Sequence, residues 1–167
     1  MNSRANLWRT LIFVAFVGPG PVIGLVPWML SGWHLITPIA PWRYVGLLMI
    51  LGGVIPLADS IGRFVREGHG TPEPLHPTES LVVSGLYRYV RNPMYLGVLT
   101  MIFGQAAFFA NRHIALYGAC AAAVMHLFVV LYEEPTLQRK YGPEYAEYLM
   151  QVSRWIPRLP RQTLTDG

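Results

Sequence analysis

MYLGVLTMIFGQAAFFANRHIALYGACAAAVMHLFVVLY, residues 94–132, is apolar along nearly its whole length and is divided once, by Asn111-Arg112-His113. A helix that crosses a bilayer needs roughly 20 predominantly apolar residues. The two halves, 94–110 and 114–132, approach that length. Three residues between them leave room only for a turn, so the reading is an antiparallel helical hairpin. Two more apolar runs lie upstream. Residues 7–30 are interrupted by Gly18-Pro19-Gly20-Pro21, and residues 44–64 contain Pro56 and Asp59. The expectation is an all-α integral membrane protein of about four transmembrane helices, forming a single membrane domain over residues 1–167.

Composition agrees. Of 167 residues, 53% are hydrophobic and only 13% charged, whereas a soluble domain is nearer a quarter charged. The net charge of +4 is carried by residues between the apolar runs rather than along one helical face. That placement fits a membrane surface and not nucleic acid. The lone Cys120 lies within an apolar run, allows no intramolecular disulfide and reads as a small packing residue. Ala119 and Ala123 are small residues that would permit close packing, and the oligomeric state is open. The apolar run after the weakly basic N-terminus continues through prolines and Trp28, so it reads as a retained membrane segment and not a cleaved signal.

With four spans, Arg4, Arg9, Arg63, Arg66, Arg88, Arg91, Arg139, Lys140, Arg154, Arg158 and Arg161 share one side of the membrane. Only Arg43 and Arg112 lie on the other. Eleven against two is the positive-inside pattern and puts both termini in the cytoplasm, in the inner membrane of the cell. After Tyr132, the positions Tyr141, Tyr145, Tyr148, Leu149 and Val152 follow helical spacing. They predict a cytoplasmic amphipathic helix lying on the membrane or on the bundle.

Three groups of residues carry chemistry. In YRYVRNPMYLG, residues 87–97, Pro93 forbids a continuous helix and restarts one, with Asn92 as N-cap. The free N–H groups of that terminus and Arg91 make a place for an anion. Gly97 lets another group come close. The alternative is a belt of Tyr and Arg at the lipid interface. Second, Glu133-Glu134 closes the fourth span, where a helix C-terminus disfavours negative charge. The hairpin brings these carboxylates beside Arg91 and Tyr95, so they either serve a ligand or pair with Arg88 or Arg91. Third, Asp59 and Arg63 are spaced for a local ion pair. His126, the one histidine inside a span, reads as facing the bundle. Nucleotide-binding glycine loops, HExxH, CxxC and GxSxG are absent.

Residues 87–97 resemble the R-H/N-P-x-Y-x-G box of the isoprenylcysteine carboxyl methyltransferase and phospholipid methyltransferase superfamily. Leu131-Tyr132-Glu133-Glu134-Pro135 resembles its Glu-Glu box. Residues 141–148 with Ile156-Pro157 resemble its Tyr-rich tail. Order and spacing agree over about residues 80–160. The resemblance implies an integral-membrane methyltransferase that takes its methyl group from S-adenosylmethionine. It places Arg91, Asn92, Tyr95, Gly97, Glu133 and Glu134 at the cofactor, with Arg91, Glu133 and Glu134 also at the reaction. The implied acceptor is lipophilic or membrane-embedded, of isoprenylcysteine carboxylate or phospholipid type. Asn92, where the prenylcysteine branch usually has His, and His126-Leu127-Phe128, where it tends to carry arginines, point away from the carboxylate. The competing reading is a non-catalytic membrane module in which the same motifs only cap and staple the hairpin.

Overall fold

The structure, a computed structural model, describes residues 18–34, 41–66 and 81–159. The first part of the expected first span, most of the polar connector before residue 81 and the extreme C-terminus lie outside the described residues. Within them the chain is helical, with one isolated bridge and no strand. In order come α1 (Pro21–Ser31), α2 (Pro41–Arg66), a 3-10 turn (Gly85–Arg88), α3 (Pro93–Phe109), α4 (Arg112–Phe128), α5 (Glu134–Tyr141) and α6 (Pro143–Gln151).

Two helical stretches are long and apolar enough to cross a membrane: Pro41–Arg63 and the continuous Arg112–Tyr141. The faces of α2 and α4 away from the chain are apolar and exposed, at Leu48, Leu51, Ile55, Leu116 and Val124. That is a lipid-facing composition. Apolar α3 is shorter, and α1 is shorter still as described.

The closest contact in the bundle is between α2 and α3, and glycines make it. A Cβ on Gly53 would lie 2.6 Å from the Gly97 carbonyl oxygen, and one on Gly46 would lie 2.6 Å from that of Gly104. Pairing 46 with 104 and 53 with 97 makes the helices antiparallel. Without a hydrophobic drive between helices in lipid, close backbone approach and dispersion are what hold them. The spacing is seven residues on each helix, so a search for four-residue spacing misses it. Cys120, expected as a small packing residue, is exposed on α4 instead, and Ala119 and Ala123 are exposed beside it. The core between the helices is Leu57, Val98, Ile102, Ala106 and Ile114.

The expected hairpin is present as α3 and α4. Ala110 closes α3 in the left-handed region at φ 50. The Asn111 side chain then accepts from the N–H groups of His113 and Ile114, at 2.8 and 3.3 Å, to start α4.

Prolines shape both ends of the bundle through π turns. In α1 the Val26 N–H reaches back to Pro21 O rather than Val22 O, and Pro27 has no N–H to give Ile23. Two carbonyls are left over, and neighbouring helices supply the donors. Gln105 Nε2 donates to Ile23 O at 2.7 Å and Tyr117 Oη to Val22 O at 2.9 Å. A similar turn, Val129–Glu133, precedes Pro135. It absorbs the proline, and the helix runs on to Tyr141. Glu133 and Glu134 are therefore not at a helix C-terminus, and the dipole cost expected there does not arise. The continuous helix Arg112–Tyr141 has 30 residues, which at 1.5 Å each give about 45 Å, longer than the ~30 Å of hydrocarbon in a bilayer.

Gly142, at φ 55, breaks α5 from α6. The apolar side of α6 packs on the chain itself: Tyr145, Tyr148 and Val152 are buried with Leu81, Val83 and Leu137.

Candidate functional site

The site gathers three segments: the start of α3, the π turn between α4 and α5, and residues 152–158 after α6. The last segment bends through residues 154–156 and meets residues 89–92 at two points, with a single isolated bridge between Val90 and Ser153. Arg91 N–H donates to Ser153 O at 2.9 Å, and Arg158 N–H to Tyr89 O at 2.9 Å. Asn92 Nδ2 donates to Arg154 O at 3.1 Å. Asn92 occupies the N-cap position of α3, but its side chain makes no cap bond. The reading of its side chain as a cap is corrected: the amide ties down the C-terminal segment, and only its backbone carbonyl serves the helix, accepting from Leu96 N–H.

Below this strap, the buried Tyr148 donates its hydroxyl to Tyr87 O at 2.7 Å. Burial raises the phenol pKa of Tyr87 and of Tyr148, and pushes that of Tyr145 up to about 12. The end of α2 holds the other side of the same turn. Asp59 pairs with Arg63 at 3.1 Å, as the spacing predicts, and also accepts the Leu86 N–H at 3.2 Å. Arg63 reaches on to Ser84 Oγ at 2.6 Å. Its guanidinium lies over Gly85, which has φ +54 and no room for a Cβ. Asp59 thus supports the turn that carries Tyr87–Arg91 rather than lining the carboxylate cluster.

The two adjacent glutamates part company. Neighbours on a helix diverge by about 100°, and each finds its own partners. Glu134 accepts from Arg91 at 2.9 Å and from Arg154 in two-point contact, Nε at 2.7 Å and a terminal nitrogen at 2.8 Å. That hydrogen bond raises the Arg154 pKa and holds it as a cation. Arg91, not Arg88, is therefore the expected ion-pair partner. Glu133 instead accepts the Tyr95 hydroxyl at 3.0 Å. Arg91 also contacts the Tyr145 hydroxyl. Its Nε is buried and has no hydrogen-bond partner.

Trp155 lies between two rings, 6.4 Å from Tyr95 and 6.0 Å from His126. Its indole N–H donates to His126 Nδ1 at 3.0 Å. His126 is exposed on α4 and does not face the bundle interior.

Of the residues singled out in the sequence, Arg91, Tyr95, Glu133 and Glu134 come together. Asn92 joins them through the strap. Gly97 does not: it is buried against α2, with Gly53 O, Leu57 and Pro56 around its Cα. Arg154, Trp155 and Tyr145 were not anticipated. The available signal was the run Ser153-Arg154-Trp155 directly before Ile156-Pro157, a cation and a large aromatic at the end of a patterned tail.

The family model for phospholipid methyltransferase matches residues 42–144, more than half of the chain and most of the elements just described. Among curated proteins, the chain is 29% identical over 136 residues to protein-S-isoprenylcysteine O-methyltransferase A of Arabidopsis thaliana, covering 78% of this chain and 60% of that protein. It is 33% identical to protein-S-isoprenylcysteine O-methyltransferase B of the same plant, over 46% of this chain and 39% of the relative. It is also 34% identical to the cobalt-zinc-cadmium resistance protein CzcN of Cupriavidus metallidurans, over 48% of this chain and 37% of that protein. The chain therefore spans 60% or less of the length of these relatives.

Proposed function

This chain belongs to the phospholipid methyltransferase family, and from that premise we propose that it transfers a methyl group from S-adenosylmethionine to a lipophilic or membrane-embedded acceptor. The observation that carries the reading is Arg91. A motif whose only task is to staple a hairpin has no use for a buried guanidinium N–H without a partner, because such groups cost stability. A ligand that brings an anion to Arg91 removes that cost, and the non-catalytic alternative leaves it unexplained.

The residues present fit S-adenosylmethionine. Arg91 Nε would take its carboxylate. The oxygen of Glu133 not bonded to Tyr95 would take its ammonium or a ribose hydroxyl. The rings of Tyr95 and Trp155 offer π faces to a sulfonium. When bound, the cofactor supplies an already activated methyl group. What remains for the protein is alignment of an acceptor atom with that methyl and exclusion of water. Where the acceptor atom carries a proton, as an amine or thiol does, Glu133 is placed to receive it, since Glu134 is fully engaged by two arginines.

The same reading includes four spans in a single domain, with residues 80–160 as the methyltransferase core. It also includes both termini and the site on the cytoplasmic side of an inner membrane, and the Lys and Arg distribution supports that sidedness. The test is calorimetry of the purified protein with S-adenosylmethionine, followed by incubation of membranes with the methyl-labelled cofactor. Binding, and label in one lipid fraction, are expected. Arg91→Ala and Glu133→Gln should both lose binding, and unchanged binding in both would overturn the site.

A further inference from the structure

A histidine at the surface of a membrane-crossing helix is costly unless it is used. His126 is such a residue: exposed on α4, next to exposed Leu127 and level with a strap whose Ile156 is also exposed. The indole nitrogen of Trp155 is a donor only, and it gives its proton to Nδ1. The neutral imidazole must then carry its own proton on Nε2. Among the described residues nothing accepts that proton. A fixed N–H donor is thus presented at an apolar surface. It is joined through Trp155 to Tyr95, and through the Tyr95 hydroxyl to Glu133.

We propose that His126 is the binding residue for the polar head of the methyl acceptor, donating its Nε2–H to an anionic oxygen of a lipid that enters from the bilayer. Trp155 is the positioning residue that fixes the imidazole tautomer. The inference rests on the methyltransferase reading for the identity of the site, but binding of the lipid can be measured without it. The oxygen belongs either to a carboxylate, as on a prenylated cysteine, or to the phosphate of a phospholipid. The lipid tail would lie along the exposed apolar side of α4.

The test uses the full-length protein in two arms, N-acetyl-S-farnesylcysteine in micelles and phosphatidylethanolamine in vesicles, each with methyl-labelled S-adenosylmethionine. With whichever lipid is methylated, His126→Phe should raise the acceptor KM about tenfold, the effect of losing one hydrogen bond to a charged oxygen. kcat should stay within about twofold, and cofactor affinity by calorimetry should be unchanged. His126→Gln keeps an N–H donor and should restore most of the loss. Trp155→Phe keeps the ring but frees the tautomer and should raise KM by a smaller factor. Equilibrium binding of the same two lipids without cofactor decides the point separately from turnover. Retention by the wild type and loss in His126→Phe uphold the proposal even if neither lipid is methylated; the methyltransferase reading itself fails only if the protein binds no S-adenosylmethionine and no membrane lipid fraction acquires label. Equal binding by wild type and His126→Phe, binding of neither lipid, or a parallel loss of cofactor affinity overturns it.

Discussion

Glu134→Gln separates the two adjacent carboxylates by what each holds. In the native protein Glu134 neutralises Arg91, whose side chain is 12% exposed, and Arg154, at 31%. Glutamine keeps the shape and one acceptor but removes the charge. Breaking a fully buried pair costs about 3–5 kcal/mol, because a cation is left uncompensated. Glu134 is 15% exposed and Arg91 can draw some solvent, so the Arg91 arm is worth about 2–3 kcal/mol. Arg154 is near the surface and adds only about 0.5–1 kcal/mol. The sum, about 3 kcal/mol, corresponds to a fall in Tm of roughly 6–12 °C for a chain of this length. Glu133→Gln loses the negative charge behind a single phenol hydrogen bond and should cost about 1–2 kcal/mol. Thermal unfolding of both variants in one detergent, with labelled methyl transfer measured beside it, gives the comparison. Glu134→Gln should be the less stable protein, and Glu133→Gln the one that loses more activity per unit of stability lost. Glu134→Gln within 2 °C of wild type, or the reverse stability order, would refute the division of roles.

Gly53→Ala places a methyl 2.6 Å from the Gly97 carbonyl oxygen and should cost at least about 1–3 kcal/mol by forcing α2 and α3 apart. Its neighbour Gly52 has open space, so Gly52→Ala should be neutral or slightly stabilising in the same unfolding assay. Tyr148→Phe leaves the Tyr87 carbonyl without its side-chain donor and should lower stability by about 1–2 kcal/mol, read as an earlier loss of tertiary structure on heating. Tyr145 should make the protein less stable from pH 10 to about 12. Its folded pKa is raised to about 12, so the unfolded chain ionises first, and the contribution is complete below pH 10. Phenolate absorbance followed against pH should show this tyrosine titrating late and together with unfolding, and Tyr145→Phe should flatten the alkaline loss.

Much of the architecture is written in local sequence. The polar triplet Asn111-Arg112-His113 between two apolar runs leaves only an antiparallel hairpin, and Asn111 caps the second helix through its own side chain. The i,i+4 spacing of Asp59 and Arg63 is enough for their ion pair. The break at Pro93 fixes where α3 begins, and the hairpin then brings Arg91 and Tyr95 to the glutamates. These follow from helix geometry, apolar length and proline's missing N–H, all properties of short segments. What needed the folded chain depends on partners far apart in sequence. The seven-residue glycine spacing means nothing on one helix until the antiparallel register pairs Gly46 with Gly104 and Gly53 with Gly97. The helix passes through Pro135 because a π turn absorbs it, so local propensity at the proline misplaces the end of the span. Arg154 and Trp155 reach the site only because residues 152–158 lie beside residues 89–92, about 60 positions earlier. The sequence by itself determined the hairpin of α3 and α4 and which of its ends meet. Only the tertiary structure decided that Glu134 is held by two arginines while Glu133 stays available, because that choice depends on the direction each neighbour takes from the helix and on what a distant strap places there.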